Sequence, residues 1–148
     1  MSHNNITQNI SDVLKHLPTT LEAFYLSHNS LQGSIHLALE HLDGMKKLHV
    51  DSNRLSGSLP DFSTAFPRLQ ELDLSNQKQA GHKGVVGTIP DNFADLSFLS
   101  TLNLVNNSLT GTVPSYFADL SRLRMLDLSY NTLTKTIPKV LGKLGGEW

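Results

Sequence analysis

The sequence contains no cysteine. That excludes disulfide frameworks, iron–sulfur clusters, cysteine zinc sites and thiol catalysis. Aromatic residues are scarce at 7%, with a single tryptophan, and hydrophobic residues reach only 39%. No stretch approaches the roughly 18 consecutive apolar residues of a membrane-spanning helix. An excess of charge of one sign is also missing: 12 basic and 13 acidic side chains leave a formal net charge of −1. Nucleic-acid and polybasic membrane binders usually carry a basic excess or stripe, so neither class is expected. The opening residues, Met1-Ser-His-Asn-Asn-Ile-Thr-Gln8, hold no basic n-region and no apolar h-region. Read as it stands, the chain is expected to be cytoplasmic; as a fragment or mature form it is expected to be extracellular.

What is present in excess is leucine, 26 of 148 residues. The length suits one domain with a sizeable core, and that core must be mostly leucine. The leucines are periodic. Leu21, Phe24, Leu26, Asn29, Leu31, Gly33 and Ile35 recur 24 positions later as Met45, Leu48, Val50, Asn53, Leu55, Gly57 and Leu59, followed by Pro60. A third copy begins Leu69, Leu72, Leu74. A fourth runs Leu99, Leu102, Leu104, Asn107, Leu109, Gly111, Val113, Pro114, and a fifth Leu123, Leu126, Leu128, Asn131, Leu133, Lys135, Ile137, Pro138. The consensus is LxxLxLxxNxLxGxIP, followed by a looser apolar half such as Phe93/Leu96, Phe117/Leu120 or Leu141/Leu144.

Each LxxLxL alternates apolar and polar positions, as a short strand with one buried face requires. A single repeat cannot bury its own leucines, so neighbours must stack into one continuous core. The Asn column (29, 53, 107, 131) falls where the chain leaves the strand, where an amide can satisfy turn backbone. The Gly column (33, 57, 87, 111) permits tight packing or unusual dihedrals. Both columns read as structural.

With these residues in view, the motif resembles the leucine-rich repeat in its 24-residue plant-type form, over roughly residues 21–144. It is similar to plant receptor-kinase ectodomains and polygalacturonase-inhibiting proteins. The resemblance implies an α/β solenoid: a right-handed superhelix of five repeats with a parallel β-sheet on its concave face. Residues 1–20 are expected to form a polar segment and capping helix, residues 21–144 the repeats, and residues 145–148 a tail. The helix is expected over 11–18 with Ser11 as its N-cap, and residues 1–9 are expected to be loose. Secreted relatives flank their repeats with cysteine-paired caps, which this chain lacks. Trp148 reads either as a lid over the last repeat or as a free tail.

The third repeat is 30 residues long, Leu69 to Leu99, with the extra six within Ser75–Gly84. The segment carries Lys78, His82 and Lys83 and is expected to bulge beyond the strand end as a binding loop. Deleting 77–82 is expected to spare the fold. The strand offsets place Tyr25, His49, Asp73, Asn103 and Asp127 in the middle exposed column of the concave face. Beside it run Ala23, Lys47, Glu71, Thr101 and Met125, then Ser27, Asp51, Ser75, Val105 and Ser129. The last column is His28, Ser52, Asn76, Asn106 and Tyr130. Two clusters are expected: Tyr25, His28, Lys47, His49, Asp51 and Asp73, and separately Asn103, Val105, Met125, Asp127 and Tyr130.

Aromatics, histidines and carboxylates on one surface suit a protein partner. His49 and Asp73 are expected to lie close enough to pair. His28, His49, Asp51 and Asp73 are suitable zinc ligands in type, yet an open sheet offers little desolvation and no nucleophile–base–orienter set. No metal, cofactor or catalysis is expected. A second surface carries Gln32/Ser34, Ser56/Ser58, Val86/Thr88, Thr110/Thr112 and Thr134/Thr136, a ladder that suits ice or crystalline polysaccharide. Asn5, Asn9 and Asn106 head Asn-x-Ser/Thr triplets. The expected function is a monomeric, non-enzymatic protein-binding scaffold using the concave sheet and the 75–84 loop. An inhibitor of a secreted cell-wall hydrolase, or a fragment of a larger receptor, is the alternative.

Overall fold

The computed structural model describes residues 4–35, 42–134 and 136–143. Expectations that fall on Lys135, Leu144 and the tail 145–148 with Trp148 lie outside the described residues.

The repeats stack as the leucine period demands. Strands Ala23–Tyr25, Lys47–His49, Glu71–Asp73, Thr101–Asn103 and Met125–Asp127 form one five-stranded parallel sheet in chain order. Their register keeps repeat positions opposite one another: Phe24, Leu48, Leu72, Leu102 and Leu126 form one inward row. The inner three of these are fully buried, as are Leu31, Leu69, Leu74, Leu99, Leu104 and Leu109. Burying a leucine fully is worth about 1.5–3 kcal/mol, so a core this continuous is the main stabilising term. In the second to fifth repeats the looser half turns back over the core. It does so as a short α-helix, Phe62–Ala65, and as 3₁₀ turns Asp91–Asp95, Ser115–Asp119 and Lys139–Lys143. Phe62, Phe66, Phe93 and Phe117 fill the space beneath, with Phe62 edge-on to Phe93 at 5.6 Å.

A side-chain amide closes each repeat, buried in the first four and half-buried in the last. The Asn53 side chain is inaccessible to solvent. Its Oδ1 accepts from the Leu31 N–H at 2.9 Å, and its Nδ2 donates to the carbonyls of Leu26, Val50 and Asp51. Asn107 and Asn131 repeat the pattern. The third repeat has no asparagine here, and Gln77 takes the role. Its Oε1 accepts from Leu55 N–H at 3.0 Å, and its Nε2 donates to Val50 and Ser75 carbonyls.

Gln77 therefore belongs to the scaffold, and the insertion shrinks to residues 78–83. Removing 77–82, as the sequence suggested, would delete a buried hydrogen-bonding side chain. The excursion is a tight closed loop: Gln79 and His82 exchange both backbone hydrogen bonds. It returns through Gly84, buried at φ 71°. A Cβ there would stand 2.8 Å from Lys78 N and 2.9 Å from Asn107 Oδ1, so only glycine fits.

The N-terminal segment also departs from expectation. The helix spans Ile10–Lys15, and its N-cap is Asn9, whose side chain accepts from Ser11 N–H. Ser11 instead sits in the first turn and donates its hydroxyl to the Ser34 carbonyl at 2.7 Å. Ile10 and Leu14 are fully buried and cover the open core of the first repeat. The residues before the helix are paired with that repeat: Ile6 N–H donates to Asn29 Oδ1, while Ser30 and Gln32 N–H groups donate to Ile6 and Gln8 carbonyls. They occupy the place of a preceding repeat. Gly33, at φ 85°, leaves room for the Asn9 amide, which a Cβ would meet at 2.6 Å.

Truncating Asn53 to alanine orphans several buried groups at about 1–3 kcal/mol each. The expected loss is about 3 kcal/mol or more, read by urea denaturation. Deleting residues 78–83, whose flanks already touch, is expected to cost under about 1 kcal/mol by the same measurement.

Candidate functional site

The parallel register sets the concave surface. Tyr25, His49, Asp73, Asn103 and Asp127 lie side by side, as do Ala23, Lys47, Glu71, Thr101 and Met125. Both columns are those read from the strand offsets. How the side chains join within them differs from the expectation. His49 stands opposite Asp73, yet its Nε2 contacts Glu71 Oε2 at 3.1 Å. Asp73 is occupied: Oδ1 accepts from its own Ser75 N–H at 2.9 Å and Oδ2 from Asn103 Nδ2 at 3.0 Å. The short carboxylate at a strand end reaches the N–H two residues on, an arrangement shared by Asn103 with Val105 and Asp127 with Ser129. Glu71, one step diagonal and one methylene longer, reaches His49 instead.

Glu71 thus joins the N-terminal cluster, and Asp73 joins the C-terminal one through Asn103. Lys47 Nζ lies 2.8 Å from Glu71 Oε1, so one carboxylate holds both the ammonium and the imidazole. The Tyr25 ring meets the His49 ring edge-on at 4.9 Å. His28 Nε2 stands 3.7 Å from Asp51 Oδ2. In the C-terminal half, Met125 and Tyr130 are exposed, Tyr130 to 79%.

The hydrogen bond from Lys47 holds the Glu71 carboxyl below the ordinary carboxylate range, against the opposing effect of burial and with help from His49. Glu71 raises Lys47 in return. A depressed carboxyl stabilises the fold above its unfolded pKa of about 4.3, and that contribution is lost as pH falls through the folded value. A raised ammonium contributes fully below about 10.4 and loses its contribution as pH rises through the folded value. Both side chains are partly exposed, so the effect on stability is small. Among the described residues, no group of three or more His, Asp or Glu is arranged to hold a metal ion.

The last column holds a feature that sequence reading passed over. His28, Ser52, Asn76, Asn106 and Tyr130 all adopt left-handed backbone, with φ between 54° and 57°. This costs an L-residue about 1–2 kcal/mol, less for asparagine. The N–H of each of the first four donates to a carbonyl of the next repeat, which extends the ladder past the strands. The left-handed turn lifts these side chains onto the rim of the sheet. Lys78, His82 and Lys83 lie beyond that rim on the closed loop, all exposed.

On the second surface the two hydroxyl columns are unequal. Thr110 and Thr134 donate to the carbonyls of Gly87 and Gly111 and are spent on the scaffold. Thr88, Thr112 and Thr136 line a groove of about 660 Å³ with Pro114, Pro138 and Tyr116. The Tyr116 hydroxyl donates to the Pro90 carbonyl at 2.6 Å. Of the Asn-x-Ser/Thr triplets, Asn9 is engaged as the helix cap and Asn106 donates to Asn76.

Two leucine-rich repeat family profiles match the chain, one over residues 89–145 and the other over residues 20–42. The chain is a leucine-rich repeat protein of the plant type. Receptor-like protein 43 of Arabidopsis thaliana is 31% identical to it over 121 residues, 69% of this chain and 17% of that protein. Among solved structures, the leucine-rich repeat ectodomain of the Arabidopsis receptor kinase HAESA, bound to an IDA peptide hormone ligand, is 30% identical with a TM-score of 0.86. That match covers 98% of this chain and 23% of the other. A plant ice-binding protein is 30% identical with a TM-score of 0.84, covering 99% of this chain and 46% of that one. This leucine-rich repeat chain therefore spans less than half the length of each of these three. No helix among its described residues is long and apolar enough to cross a membrane.

Replacing Lys47 by alanine is expected to return the Glu71 titration midpoint toward the ordinary carboxylate value, followed by carboxyl carbon NMR. A midpoint that stays put would mean that the pair does not form in solution.

Proposed function

We propose that this leucine-rich repeat chain is a non-enzymatic scaffold that binds a peptide or protein on its concave sheet and neighbouring loop. One observation carries the reading: Tyr25, His49, Glu71 and Lys47 form a connected network on three adjacent strands, fixed in place by the buried leucine row behind them. Such a surface is preorganised, so little ordering entropy is lost on binding. Tyr25 and Met125 supply exposed apolar area, and the charged groups form a polar rim. The HAESA ectodomain, which shares the fold, was solved with a peptide hormone.

The likeness to a receptor-like protein and to a receptor-kinase ectodomain supports the reading as part of a larger receptor over that of a hydrolase inhibitor. Extracellular placement follows from that reading and replaces the cytoplasmic expectation, which none of the relatives supports. Loss of partner capture by a Tyr25→Ala/His49→Ala/Glu71→Ala variant, against wild type and with an unchanged melting temperature, is the expected result. The measurement is quantitative pull-down from plant extracellular fluid. Partners retained equally by both proteins would remove the concave site.

Ice binding is a second reading, favoured by the likeness to the plant ice-binding protein. It would use Thr88, Thr112 and Thr136, which line one groove in three successive repeats. Thermal hysteresis that falls on mutating these three to alanine is the expected sign. Its absence in the wild-type chain ends that reading.

A further inference from the structure

The insertion brings basic side chains together. The backbone pairing of Gln79 with His82 sets Lys78 and Lys83 beside each other at the base of the loop. The Gln79 side chain then reaches across to the previous repeat, where Nε2 donates to the Asn53 carbonyl at 2.8 Å. That strut pins the loop over the peptide that leads into Arg54. A second tie, from Ser108 Oγ to the Lys83 carbonyl at 2.6 Å, pins the return limb to the following repeat. Arg54, Lys78, His82 and Lys83 are all exposed.

Among the described residues, no carboxylate forms an ion pair with this rim. Asp51 is held by the Ser52 hydroxyl and faces His28, while Asp73 is held by Ser75 and Asn103. Among the described residues, none of the four cations is in an ion pair. Two permanent positive charges sit on the braced loop and a third, Arg54, follows the residue that accepts its strut, in a chain of net charge −1. Like charges held together repel one another, and an incoming anion relieves that repulsion.

We propose that Arg54, Lys78, His82 and Lys83 form a docking rim for an acidic segment of the partner. The proposal rests on the protein-binding reading and adds the chemistry of the partner. Charge complementarity at an interface rim acts chiefly on association rate, salt dependence and choice of partner.

The test uses fluorescence anisotropy of the purified chain with a short fluorescein-labelled peptide of alternating Asp and Glu, at low and high ionic strength. Wild type is expected to bind at low salt and release at high salt. An Arg54→Ala/Lys78→Ala/Lys83→Ala variant is expected to bind about ten-fold more weakly. A control that removes the same charge elsewhere, Lys15→Ala/Arg68→Ala/Arg122→Ala, is expected to bind within about two-fold of wild type. Gln79→Ala keeps every charge but cuts the strut, and is expected to weaken binding while the chain stays folded, with a melting temperature only a few degrees lower. No binding by wild type, equal losses in the rim and control variants, or a rim variant that binds as wild type overturns the proposal. The concave triple variant should bind this peptide undiminished. A failed rim with an intact concave-face result sinks this inference alone, and the reverse sinks the concave site alone.

Discussion

The structure depends on one inward-turned amide per repeat. Where the chain leaves each concave strand it must turn sharply inside a leucine core, and backbone groups there cannot reach water. Asn53, Gln77, Asn107 and Asn131 each meet that need from a single position, accepting one N–H and donating to two or three carbonyls. An unpaired buried polar group is costly, so a serine or leucine at these positions would destabilise the fold strongly. The leucine rows supply most of the stabilising free energy, but they are non-directional. The amides fix which residue of one repeat lies against which residue of the next, and that register aligns the concave columns.

Much of this was legible in the sequence. The repeat spacing, with its one six-residue insertion, sufficed to place the residues of the two strand columns, because side-chain alternation along a strand admits no intermediate register. The signal for Gln77 was present as well: it lies 24 positions after Asn53, and glutamine carries the same amide one methylene farther out. Because the other repeats carry asparagine at this position, the glutamine reads as part of the insertion, which then shifts by one residue. The partner of His49 was less accessible. Column position makes Asp73 the neighbour, and only the local hydrogen bond from Ser75 to Asp73 explains why Glu71 is chosen. The left-handed column was invisible for a different reason. Serine, histidine and tyrosine do not advertise positive φ, and repeat geometry imposes it on whichever residue stands there.

Scaffold and surface answer to different constraints. Positions facing the core are chosen among leucine, phenylalanine, isoleucine and valine by shape, and their identity carries little information about a ligand. Concave and rim positions escape that selection, so a network such as Lys47–Glu71–His49–Tyr25 is not required by the fold. The same holds for the 78–83 loop, which the scaffold accommodates between two adjacent points without displacing a core residue. These are the places where chemistry can be varied at small cost in stability.

The orientation of the amides has a consequence for how the protein is made. Each one binds backbone in its own repeat or in the repeat before it: Asn53 reaches Leu31 and Leu26, Gln77 reaches Leu55 and Val50, and Asn131 reaches Leu109 and Leu104. None of these bonds waits for sequence that has yet to be translated. The first repeat follows the same rule, with residues 6–9 standing in for a predecessor and Ile6 serving Asn29. A ribosome delivers this chain N-terminus first, so every repeat meets a finished template as it emerges. The polar network can then close one unit at a time, in the order of synthesis.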